Sequence, residues 1–129
     1  MVQTPLDQGL NLSDWLISTQ EKRDELDAYG KSPLPLDAGE RHVEIERAIQ
    51  NADDSGRLLA DAESFLSQAK AQAVLAMIDK YPDLSSKERE IMVKDAVRGV
   101  QRLVDGISVT NRTINHRIFV IQNANRARL

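Results

Sequence analysis

Two apolar stripes of nearly equal length dominate the chain. The first runs Ile45, Ala48, Ala52, Ser55, Leu59, Ala62, Leu66, Ala69, Ala73, Ala76. The second runs Val93, Val97, Val100, Val104, Ile107, Asn111, Ile114, Ile118, Ile121, Asn125. Both advance by alternating threes and fours, the spacing that keeps one narrow face of an α-helix turned to a partner. Between them, Tyr81-Pro82 stops one helix, and Ser85 with Glu88, or Ser86, starts the next. The pattern predicts an all-α protein: a long antiparallel helical hairpin, coiled-coil-like, over residues 37–129. Arms of about 40 residues reach about 60 Å at 1.5 Å per residue.

Residues 1–36 read as a separate N-terminal arm, a short helix and a Pro-rich linker. The start, with Pro5 and Gly9, is polar. Ser13 is a candidate N-cap, with Leu12 placed to staple onto Leu16 or Ile17. The first helix is expected from about Ser13 to Tyr29, stopped by Gly30 and docked by its ends, with Trp15 as anchor. Lys31-Ser-Pro-Leu-Pro-Leu36 blocks helix propagation. Asp37 then caps the second helix, with Glu40 in capping-box position. That helix should pass through Asp53-Asp54-Ser55-Gly56 to about Lys80, at a cost of roughly 1 kcal/mol for the glycine. The third helix is expected to be continuous to about Asn125.

The first stripe is rich in alanine and the second in valine and isoleucine, so close approach by one is filled by the other. Ile49, Leu58, Phe65, Val74, Met77 and Ile78 widen the apolar face of the second helix, as do Ile91, Met92 and Leu103 on the third. A short first helix covers only part of this, which predicts a homo-oligomer. Its seam is expected at Val97, Val104, Asn111, Ile114, Ile118 and Ile121. Asn111 and Asn125, fourteen residues apart, occupy one heptad position and set register. Gly99 and Gly106 share another and suggest close approach of a packed neighbour.

Composition narrows the class. Two Phe, two Tyr and one Trp in 129 residues imply a thin seam rather than a thick core. No cysteine means no disulfide framework and no thiolate nucleophile. No apolar run is long enough for a membrane span, and no secretory leader is visible, so the expected location is cytoplasmic. The net charge of −3 hides an asymmetry. Residues 1–83 carry 8 basic and 16 acidic side chains, and residues 84–129 carry 9 and 4. Opposite signs favour two arms that attract each other.

Candidate chemistry is sparse. Lys94, Arg98, Arg102, Arg112 and His116 fall within about 80° of one another around the third helix, with Phe119 beside them and Asp105 interrupting. Cations next to a ring suit single-stranded nucleic acid or another anion. His42 and Glu46, with Glu40 and Glu44 nearby, share one segment, but no matching ligands on another helix accompany them, so no metal is expected. Glu21, Asp24 and Glu25 resemble the acidic helices of all-α nucleotide pyrophosphohydrolases, but the second acidic pair of those enzymes is missing. No catalytic residues and no cofactor are expected.

Residues 62–73, Ala-Glu-Ser-Phe-Leu-Ser-Gln-Ala-Lys-Ala-Gln-Ala, the break at Pro82, Glu88-Arg89-Glu90 and an Arg-rich polar end carry a likeness. From Leu59 to Leu129 the chain resembles small helical accessory proteins of tailed bacteriophages. That resemblance implies a role in DNA metabolism or against host defence, and carries no site residues over. The expected function is therefore non-catalytic binding. The first expectation is an inhibitor or adaptor of a protein partner, an antagonist of host defence reached through Trp15, Asp24, Asp53 and Asp54. The alternatives are single-stranded nucleic-acid binding on the basic face, and sequestration of a small anionic nucleotide by an oligomer.

Overall fold

The computed structural model describes residues 12–126, with side chains for 14–124. The Pro5–Gly9 arm, Arg128, and the side chains of Leu12, Ser13, the second seam asparagine Asn125 and Arg126 lie outside these. Four helices follow in order: α1 (Leu12–Lys31), α2 (Ala38–Lys80), α3 (Ser86–Ala96) and α4 (Arg98–Arg126). Among the described residues there is no strand. Capping sets the boundaries. The Asp37 carboxylate accepts from the Glu40 amide at 3.1 Å, and the Ser85 hydroxyl accepts from the Glu88 amide at 3.2 Å. Each satisfies an amide that the first turn leaves free.

Helices α2 and α4 pack antiparallel along most of their length, and α1 lies against both, chiefly against α4. The hairpin is therefore a three-helix bundle along α1 and a two-helix tip beyond it. The second stripe faces inward: Val93, Val97, Val100, Val104, Ile107, Ile114 and Ile121 are buried. The first stripe is sealed at Ala48, Ser55, Ala62 and Leu66, half-open at Ala69 and Ala73, and exposed at Ala76. In the bundle, Trp15 lies flat on Phe65 with ring centroids 3.9 Å apart. Both rings are in one cluster with Ala62, Leu66, Val97, Val100, Leu103, Val104 and Ile107. Burying two such aromatic faces contributes several kcal/mol.

Polar groups fix the register inside this seam. The Asn111 amide donates to the Ser55 hydroxyl at 2.8 Å, and that hydroxyl donates to the Ala52 carbonyl at 3.0 Å. Asn111 thus sets register within one chain, between α2 and α4. The seam expected to join copies is used internally: Val97, Val104, Ile114 and Ile121 are buried against the chain's own helices, and Asn111 and Ile118 are half-buried.

Three expectations are corrected in detail. The first helix does not stop at Gly30 but runs through it to Lys31. Gly30 is there for close packing: a Cβ would sit 3.1 Å from Thr113 Cγ2 and 3.4 Å from Ile114 Cγ1. The third helix is not continuous. It breaks at Val97, whose φ of −102° and ψ of 9° leave the helical region. The break falls where α3, packed on α2, gives way to α4, packed on both α1 and α2. Gly99 meets no neighbour within 4 Å, and the space beside Gly106 is filled by the Arg23 guanidinium from 3.5 Å.

These two glycine environments predict different outcomes for one substitution. Gly99→Ala gains helix propensity without a clash and raises stability by about 0.5–1 kcal/mol. Gly30→Ala sets a methyl 3.1 Å from Thr113 Cγ2, which must give way by a few tenths of an ångström, so it gains less than Gly99→Ala. Urea unfolding of the two variants against the parent chain reads the difference.

Candidate functional site

A buried charged node ties the helices together where α1 ends. Arg117 on α4 and Glu44 on α2 are 6 % and 4 % exposed. Glu44 Oε1 accepts from Arg117 Nη2 at 2.7 Å and from Nε at 3.0 Å. It also accepts from the Tyr29 hydroxyl at 2.7 Å. The rest of the guanidinium donates to the Ser32 and Pro33 carbonyls in the linker, and its carbon sits 4.8 Å from the Tyr29 ring centroid. An arginine fork suits this geometry because it reaches several acceptors in one plane.

The node shifts two ionisable groups. Burial raises the Glu44 carboxyl, but the bonds from Tyr29 and Arg117 outweigh it and hold the group below the usual carboxylate range. Burial and the neighbouring Glu44 acceptor push the Tyr29 hydroxyl up. One turn before the end of α1, the Lys31 ammonium at 2.8 Å holds Asp27 low, and Asp27 accepts from the buried Thr110 hydroxyl at 3.4 Å.

A second feature opens beside α1. Because α1 leans on α4, a groove of about 410 Å³ separates it from α2. Leu26 and Leu58 are its half-buried apolar lining. Glu25, Asp54 and Asp61 stand on its walls with Lys22, Asn51 and Arg57. Arg57 is held by Asp53 at 2.6 Å, and Asp54 accepts from Gln50 at 3.1 Å. Glu25, Asp54 and Asp61 have no cation partner among the described residues.

The structure separates the expected partner-binding residues. Trp15 is in the core, 5 % exposed, and presents nothing to a partner, because Phe65 takes its face. Asp24 is exposed on α1 and accepts from Gln20 at 2.8 Å. Asp53 and Asp54 are exposed on α2, and of the four residues Asp54 lines the groove.

The basic face is brought together along the outside of the bundle: Lys94 on α3, and Arg98, Arg102, Arg112, His116 and Phe119 on α4, are all exposed. Lys94 pairs with Glu90 and Arg98 with Asp95. Arg102 and Arg112 have no carboxylate partner among the described residues. The His116 and Phe119 rings lie 6.3 Å apart at 28°.

The residues around His42 do not converge. Glu44 turns inward to Arg117, while Glu40, His42 and Glu46 point to solvent. Among the described residues no group of three or more His, Asp or Glu side chains is placed to hold a metal ion. No helix among them is long and apolar enough to cross a membrane.

Sequence reasoning missed the node and the groove walls. The node had a signal: Arg117 lies three residues after Ile114, and Glu44 four before Ala48, so both extend an apolar stripe. A charge in such a register implies a buried partner. That Glu25 and Asp61 line one groove from two helices had none. Comparison with protein-family models, curated proteins and solved structures returns no match.

Removing one half of the node strands the other. Glu44→Gln or Arg117→Met is expected to cost about 3–5 kcal/mol, far more than loss of an exposed pair such as Arg57–Asp53. Glu44 is lower in the folded chain than unfolded, so its contribution is present above the ordinary carboxylate pKa. It is lost as pH falls through the folded value. Urea midpoints across the acid range should therefore drop in the parent and flatten in Glu44→Gln.

Proposed function

We propose that this protein is a non-catalytic helical interaction module that docks a basic amphipathic helix of another protein between α1 and α2. One observation carries the reading: an open groove in which two leucines lie among charged walls, with three carboxylates that have no ion-pair partner among the described residues. A helix laid in such a groove buries its apolar face on Leu26 and Leu58 and meets Glu25, Asp54 and Asp61 with its lysines or arginines. The wider surface agrees in sign, since residues 12–69 carry thirteen acidic and six basic side chains. The reading keeps Asp54 as a contact and replaces Trp15 with exposed groove residues.

A short labelled amphipathic peptide of leucine, lysine and alanine tests it. Binding is expected in low salt, with amide shifts centred on Leu26, Leu58 and Asp61. Affinity should fall about tenfold or more in Asp54→Lys with Asp61→Lys. Equal binding by that variant, or shifts confined elsewhere, overturns the proposal. A matching Leu/Glu peptide should not bind.

A second reading has its own support in the unpaired Arg112, one turn from the His116–Phe119 ring pair, with the unpaired Arg102 farther along the same helix face. On it, α4 holds a single-stranded nucleic acid by phosphate contact and ring stacking. Oligothymidylate anisotropy should then show affinity falling with salt. Arg102→Ala with Arg112→Ala should make the slope shallower by about 1.4, near 0.7 per lost phosphate contact. Absence of binding at low salt removes this reading.

A further inference from the structure

The groove between α1 and α2 is closed at both ends. At one end Trp15 of α1 lies on Phe65 of α2, with ring centroids 3.9 Å apart. At the other the Tyr29 hydroxyl donates to Glu44 at 2.7 Å. Between these contacts Asn51, Asp54, Leu58 and Asp61 of α2 line the opening. They step by three, four and three, so they form one row along the helix. From Asn51 to Asp61 the row is about 15 Å long, nearly three turns. Its next position beyond Asp61 is Phe65, which Trp15 covers. Before Asn51 it meets the buried Ala48 and Glu44.

We infer that this groove reads spacing as well as charge. It takes a helix with two basic residues seven positions apart and a bulky apolar residue between them, three or four from each. The inference rests on the docking function proposed above and specifies its partner. Asp54 and Asp61 are both exposed and seven residues apart. On α2 that is about 10.5 Å along the axis and about 20° around it. Leu58 falls between them on the same side. A helix lying along α2 has the same rise and twist, so its own residues seven apart meet both carboxylates while the one between them covers Leu58. Residues five apart point about 140° from each other, and one of the two cations is then turned away from the groove.

The internal cations leave these positions open. Arg57, between them in sequence, is engaged by Asp53 at 2.6 Å. Lys22 lines the α1 wall and forms no ion pair among the described residues. Glu25, beside Leu26 on that wall, adds negative potential toward the partner's other flank. The closed ends confine contact to the open turns, so cations farther along the partner add little.

Two labelled alanine-based peptides test it, each about fifteen residues long so that a helix can form on binding. Their composition is the same, with leucine between two lysines that are seven apart in one and five apart in the other. Anisotropy with the whole protein in low salt should show the seven-spaced peptide binding at least threefold tighter. Asp61→Lys, with helical circular dichroism unchanged because the side chain is exposed, should weaken that peptide by tenfold or more. Replacing one of its lysines by glutamate should restore binding to Asp61→Lys, and replacing the other should not, because the helix lies in one register. A spacing effect below threefold overturns the inference and leaves the docking function standing. So does parent-like binding by Asp61→Lys, or restoration by both glutamate peptides or by neither. If neither lysine peptide binds the parent chain, the inference and the docking function both fall.

Discussion

The buried Arg117–Glu44 pair is the constraint on which the arrangement of helices depends. Taking both charges out of water is costly, and the attraction between them offsets that cost only if the remaining donors are also satisfied. Here the remaining donors reach the Ser32 and Pro33 carbonyls, and the carboxylate receives the Tyr29 hydroxyl as well. One guanidinium therefore specifies where α1 ends, how the Pro-rich linker turns, and which turn of α2 faces which turn of α4. Leu and Ile contacts are tolerant of small slips along a seam; a stranded charge is not. Farther along the same seam, the Asn111–Ser55 bond enforces the same register.

What was legible follows from which physics is local. The stop at Tyr81-Pro82, the cap at Asp37 and the restart at Ser85 are decided by residues three or four apart, and all three appear where the sequence puts them. The alternation of threes and fours likewise identifies the inward face of α4, down to Ile107, Ile114 and Ile121 at 0 % exposure. What periodicity does not state is who occupies the other side. The stripe read as a seam between copies is filled by α1 and α2 of the same chain, because α1 packs along α4 rather than docking only at its ends. Gly30 shows the same limit. As a symbol it marks a stop, but as an atom set it makes room for Thr113, and only the tertiary neighbour tells the two apart. Trp15 was legible as an anchor, and being one removes it from the surface.

The charge asymmetry of the chain has a similar history. Opposite signs on the two arms suggest that the arms hold each other by ion pairs. Among the described residues, one ion pair joins the two arms, Arg117 with Glu44. The others lie within a single helix, such as Arg57–Asp53 and Lys94–Glu90, or bridge the break at Val97, as Arg98–Asp95 does. The seam is instead apolar, because charges placed in it would be desolvated along the whole length of the hairpin. Most of the negative field of α1 and α2 and the positive field of α4 is consequently left on the outside, on different faces. Exposed pairs within one helix screen part of it and add little stability. The acidic groove and the basic strip are what this leaves over.

The length of α1 then decides how the surface is divided. Where α1 runs beside α4, three helices close over Trp15, Phe65 and Ile107, and grooves open along both flanks of α1. Past Phe65 two helices face each other largely across alanines, and beyond Leu66 and Val93 they enclose little. Val74 and Ile78 are therefore outside for a geometric reason, independent of any partner. A longer α1 would have buried them and removed the tip as a surface. A shorter one would have uncovered Phe65 and the break at Val97. With α1 as it stands, the half it covers encloses the aromatic core, and the half beyond it leaves Val74 and Ile78 uncovered. A single continuous α2 thus runs from a closed three-helix core to an open two-helix end.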